Sequence, residues 1–177
     1  MKTLAHERLK FIDESGVTTI LTRLYGRAAP GQRVVEAVPK NYGHSTSVVS
    51  VLGVGGVETT MVIEGAVDTP VFDAFCQHFL RPCLQSGDVV VLDNLGAHRA
   101  SCIEETVQAC KAKVIWLPPY SPDFSPIEPM WAKLKTYLRT VKARTTEDLE
   151  RAVAKGMTLI TESDCRGWFK HYGYQVA

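Results

Sequence analysis

The sequence lacks any apolar run approaching the roughly 18 residues that a membrane-spanning helix requires. Its first ten residues carry no signal-peptide core. It also lacks a charge excess: 20 Lys and Arg against 19 Asp and Glu leave a formal net charge of +1. That excludes a uniformly basic nucleic-acid binder, so any such contact must come from a local patch. No Cys-x-x-Cys pair is present, and the five cysteines are odd in number. Zinc ribbons, thiol redox motifs and a closed disulfide framework are therefore not expected, and the isolated thiols read as small buried hydrophobes. There is no internal repeat, low-complexity tract or linker. What is there is 177 residues, 45% apolar and 22% charged. This is the composition of one globular domain over residues 1–177, with no membrane partner and a reducing, cytoplasmic setting.

The first half of the chain reads as strands. Residues 9–13, LKFID, form a short apolar run closed by Glu14, Ser15 and Gly16. Residues 18–25 are rich in β-branched side chains, residues 45–54 form a third candidate, and residues 57–63 should pair with it. The second half alternates. Helices are expected at 69–84, 97–109, 126–141, 146–160 and 163–171. Buried strands are expected at 88–93 and 113–117, whose continuous apolar runs suit positions covered on both sides. Hairpin strands followed by helix–strand alternation predict an α/β fold. Its mixed sheet has antiparallel first strands and helices on both faces.

Three carboxylates stand out by position. Asp13 and Asp93 each end a predicted strand, and ligands in open α/β sheets sit beyond the carboxyl ends of parallel strands. Alternation puts Asp13 on the face of Phe11, away from Ile12 and Glu14. Glu128 follows Asp93 after 34 intervening residues, near the start of a helix. That helix has Ile127, Met130, Trp131, Leu134, Tyr137, Leu138 and Val141 as its apolar face, and Trp131 reads as core. Lys135, Arg139 and Lys142 follow Glu128 along the helix edge, with Lys133 nearby. This order suits a metal-bound phosphodiester whose backbone continues along the helix. Each carboxylate also has a plain structural reading. An Asp at a strand end is a common turn former, and Ser125-Pro126-Ile127-Glu128 fits a capping box.

Three motifs, in this order, carry a resemblance: FIDES at 11–15, VLDNLGAH at 91–98, and LPPYSPDFSPIEPMW at 117–131. Together they resemble the catalytic domain of a DDE transposase, in the manner of the bacterial insertion-sequence branch of the mariner superfamily. The resemblance extends over residues 9–174. It implies a ribonuclease H-like fold and cut-and-paste transposition, usually into a TA dinucleotide. It also implies a catalytic, metal-binding triad of Asp13, Asp93 and Glu128. Asn94 and His98 match supporting positions of the second motif, and Lys133, Lys135, Arg139 and Lys142 are the candidate DNA contacts.

The implied chemistry is two-metal phosphoryl transfer. Two Mg²⁺ ions, with Mn²⁺ as a substitute, would be bridged by Asp13, with Asp93 and Glu128 each holding one. The implied partners are transposon-end and target DNA, in a homodimeric complex associated with the nucleoid. The resemblance also implies a helix-turn-helix module upstream. Here the first catalytic strand begins within ten residues, so that module is expected on a separate chain or missing. Two other functions fit the same residues: a ribonuclease H-like nuclease without strand transfer, and a catalytically silent domain kept for DNA binding or assembly.

Overall fold

The computed structural model describes residues 8–40, 45–93, 97–118 and 121–176, and leaves out the side chains of 97–100 and 122. In chain order the elements are β1 (Leu9–Thr18), β2 (Ser45–Gly53), β3 (Gly56–Glu64), α1 (Thr69–Phe75), α2 (Arg81–Cys83), β4 (Val89–Leu92), α3 (Ala97–Ala109), β5 (Lys113–Trp116), α4 (Glu128–Val141), α5 (Thr146–Met157) and α6 (Glu162–His171). The strands form one sheet in the order β3-β2-β1-β4-β5. β1, β2 and β3 pair antiparallel, whereas β4 pairs parallel with both β1 and β5. The expected mixed sheet is therefore present.

Alternation along the strands divides the interior in two. Phe11, Val48, Leu52, Val89 and Val91 face a core closed by Met130, Trp131, Leu134 and Leu138 of α4, Leu149 and Val153 of α5, and Phe169 of α6. Ile12, Val49, Val51, Val90 and Leu92 face the other way, onto Phe72 and Phe75 of α1 and Ile103 and Val107 of α3. Helices thus cover both faces, as the four-residue apolar run of β4 requires. The α4–α5 contact is close: a Cβ on Gly156 would stand 2.6 Å from Leu134 Cδ1, so the small residue lets α5 approach α4.

Three local expectations are corrected. The helix expected at 69–84 winds as a π-helix over Cys76–Leu80, between α1 and α2. Pro82 cannot donate to the His78 carbonyl four residues earlier and crowds it, and the wider winding relieves that contact. The strand expected at 18–25 does not form. The Thr19 and Leu21 carbonyls instead accept from the Arg144 guanidinium at 2.6 and 3.2 Å, where a strand neighbour would have donated. The first strand does not stop at residue 13 but runs on to Thr18, which bears on the site.

Candidate active site

β1 and β4 run side by side only through Leu9↔Val89, Lys10↔Val90 and Phe11↔Val91. β4 then ends at Leu92, while β1 continues on β2 with Asp13 opposite Ser50. The two strands part just beyond Phe11, and the gap opens at the carboxyl end of β4. Counted on in the same register, Asp13 would fall opposite Asp93, two residues beyond the last pair. Asp13 therefore lies inside a strand rather than at its end. It lies two residues beyond the end of the β1–β4 ladder, where β1 is held by β2 alone.

Glu128 is the first residue of α4. The capping-box alternative is not realised. The chain already turns at Ser125–Ile127, with the Glu128 N–H donating to the Ser125 carbonyl at 3.2 Å. The N-cap falls on Ile127, which has no side-chain oxygen to offer, so no side chain caps the helix. The exposed Glu128 carboxylate is thus not spent on its own helix. One turn later Trp131 is 3% exposed, as its apolar surroundings predict. Its indole Nε1–H nevertheless donates to Asp13 Oδ2 at 2.8 Å, across 118 residues of sequence. The Glu14 N–H donates to the other oxygen, Oδ1, at 2.8 Å. The sequence signalled only that a buried Trp131 needs some partner for its N–H, not that the partner is Asp13.

The electrostatics follow from this packing. Burial pushes the Asp13 carboxyl up from 3.8 to about 6, against the pull of the Trp131 and Glu14 hydrogen bonds. The negative charges of Glu128 and then Asp93 add to the rise, so both lie within electrostatic reach of Asp13. Among the described residues, no three His, Cys, Asp or Glu side chains already stand at metal-ligand spacing. The donor set is nonetheless all carboxylate oxygen around a partly buried, charge-repelled Asp13. That chemistry suits a hard divalent cation, whose charge would reverse the repulsion.

The remaining candidates are placed unevenly. Asn94 lies outside the described residues. His98 lies in the first turn of α3, and its side chain is also outside them. Lys133 pairs with Asp164, and Lys142 pairs with Glu36 from the β1–β2 connection. Lys135 and Arg139, both half-buried, make no ion pair among the described residues.

A family model described as DDE superfamily endonuclease matches residues 8–150. Among solved structures, the Mos1 transposase paired-end complex with left transposon end matches with a TM-score of 0.76 at 17% identity, over 95% of this chain and 53% of that one. The Mos1 mariner paired-end complex with Mn matches at 0.72 and 16% identity, over 94% and 52%. The catalytic domain of Mos1 mariner transposase matches at 0.66 and 13% identity, over 95% and 80%. No curated protein sequence matches. The chain spans about half the length of the first two Mos1 chains and most of the isolated catalytic domain. Its mixed five-stranded sheet is the ribonuclease H-like fold of that domain.

Proposed function

This chain belongs to the DDE superfamily of endonucleases, and we propose that it is the catalytic part of a transposase. It cleaves phosphodiester bonds at transposon ends and joins the freed 3′-hydroxyl to target DNA. The observation that carries this reading is the Trp131–Asp13 hydrogen bond, which ties α4, one turn after Glu128, to the strand that carries Asp13. Among the described residues no helix is long and apolar enough to cross a membrane, and we place the chain in the cytoplasm, at the nucleoid.

Asp13, Asp93 and Glu128 are the residues that would hold Mg²⁺, as a pair of ions, or Mn²⁺ in its place. Structures of Mos1 contain one or the other metal. When bound, the ions supply Lewis acidity that activates the attacking oxygen and offsets charge on the leaving one. The chain's own residues prepare for this. The Trp131 indole and the Glu14 amide each donate to one Asp13 oxygen and so fix the carboxylate's orientation. Lys135 and Arg139 extend along α4 from Glu128 and can meet successive phosphates, with Lys142 and Lys133 joining by exchanging their present carboxylate partners. Asn94 and His98 support the Asp93 side of the site. Water is the first nucleophile and the transposon-end hydroxyl the second, so no side chain forms a covalent intermediate. Target choice at TA sites, a homodimeric complex and a helix-turn-helix module for end recognition complete the proposal.

The test is metal-dependent nicking of supercoiled plasmid, followed by joining of a pre-cut transposon-end duplex. Wild type should do both. Asp93→Asn, which keeps size but loses charge, should lower cleavage by about two orders of magnitude or more, since losing only an outer-shell partner of a ligand already costs about 10- to 100-fold, with unfolding unchanged. Nicking without joining would establish the hydrolytic nuclease. Activity retained in Asp93→Asn would show Asp93 to be a turn residue only.

A further inference from the structure

The turn that closes α6 returns the chain to the catalytic side of the sheet. Tyr172 is the C-cap, and Gly173 follows at φ 84°, in the left-handed region that favours glycine. The Gly173 N–H donates to the Lys170 carbonyl at 3.1 Å and the Tyr174 N–H to the Phe169 carbonyl at 2.9 Å. This is the paired bonding of a Schellman turn, and its accompanying apolar contact is present. The Tyr174 ring lies 5.8 Å from that of Phe169 and 5.3 Å from that of Phe11. At its far end, the Tyr174 hydroxyl donates to the Phe124 carbonyl at 2.8 Å.

Phe11 stands two residues before Asp13, and Phe124 four residues before Glu128. One side chain therefore touches both the strand that carries Asp13 and the loop that delivers Glu128. Phe124 is 52% exposed, so its own burial does little to hold that loop. Ring packing against Phe11 and Phe169 would be served equally by phenylalanine. The hydroxyl is what reaches the loop. Beside it, burial and then the charges of Glu128 and Asp123 raise the Tyr172 phenol, which puts the same turn within the field of the site.

We propose that Tyr174 is a positioning residue that sets Glu128 relative to Asp13, through the Phe124 carbonyl on one side and the Phe11 ring on the other. It lies beyond residues 8–150, which the family model covers, and the inference rests on the catalytic reading above. The experiment is Tyr174→Phe in the whole chain. Mn²⁺ affinity is measured by calorimetry, amide hydrogen exchange by mass spectrometry, and stability by thermal unfolding. The ring contacts remain, so the unfolding midpoint should stay near wild type. Mn²⁺ affinity should fall about threefold to tenfold, the range for one lost hydrogen bond, and exchange should accelerate across residues 124–131. Tyr174→Ala, which also removes the ring, should lower the midpoint as well. Wild-type Mn²⁺ affinity in Tyr174→Phe overturns the inference. If the wild-type chain takes no Mn²⁺, the catalytic reading fails instead, and exchange alone decides the inference. Faster exchange confined to 124–131 supports it, and unchanged exchange overturns it.

Discussion

Asp13→Asn should abolish cleavage and at the same time make the metal-free protein more stable at neutral pH. Burial first, then the charges of Glu128 and Asp93, raise the Asp13 carboxyl from 3.8 to about 6. Between those values the folded chain binds a proton that the unfolded chain has already released. Stability linked to Asp13 is therefore fully present below about pH 4 and lost as the pH rises through about 6. A shift of about two pH units corresponds to at most about 3 kcal/mol. Water still reaches the carboxylate, so about 1–2 kcal/mol is the realistic effect. Asparagine removes the charge and keeps one accepting oxygen, but its amide nitrogen, unlike a hydroxyl oxygen, cannot accept, so either the Trp131 or the Glu14 N–H loses its partner and the gain falls to the low end of that range. At about 2–4 °C per kcal/mol for a chain of this size, a net gain of about 1 kcal/mol should raise the unfolding midpoint at pH 8 by roughly 2–4 °C. The gain should vanish near pH 4. The assay is differential scanning calorimetry in chelator at both pH values, repeated with millimolar Mg²⁺. Divalent metal should stabilise wild type and leave Asp13→Asn unmoved. A variant no more stable than wild type at pH 8 would refute the account of Asp13 as a repelled, partly buried charge.

Trp131→Phe keeps the ring in the core but removes the donor to Asp13. A hydrogen bond to a carboxylate contributes about 1.5–3 kcal/mol, so metal-dependent cleavage should fall roughly 10- to 150-fold. Cleavage at the wild-type rate would reduce the contact to packing. Charge reversal at Lys135 and Arg139 should weaken binding to transposon-end and scrambled duplexes alike and flatten the salt dependence, read by fluorescence anisotropy. A selective loss for one sequence would mean that these residues read bases. The Asp164 carboxyl is held down to about 2, first by the Lys133 ammonium and then by Thr161 in the capping box of α6. Its contribution is present above about pH 4 and lost as the pH falls through about 2. Asp164→Asn should therefore lower the unfolding midpoint at pH 7 and have little effect near pH 2.

The local grammar of this chain was legible without coordinates. The apolar run at Val89–Leu92 required cover on both faces, and the periodicity of residues 127–141 predicted the buried face of α4 at Met130, Trp131, Leu134 and Leu138, though Val141 at the helix end is exposed. The motifs around Asp13, Asp93 and Glu128 pointed to the family, because chemistry constrains residue type over short stretches. Contacts between distant residues were not legible. Whether β1 stopped at Asp13 or continued to Thr18 depended on its pairing with β2, and a strand's length is set by its neighbour's hydrogen bonds. Ser125 looked like a helix cap until the preceding turn moved the helix start to Glu128 and left its carboxylate available. Residues 18–25 had strand-like composition, but the Arg144 guanidinium took the carbonyls that a strand neighbour would have bonded. The Trp131–Asp13 and Tyr174–Phe124 hydrogen bonds span 118 and 50 residues. Sequence patterning determines which side chains are buried, but the partner of a buried N–H or O–H is settled only when helices and sheet pack at a particular register.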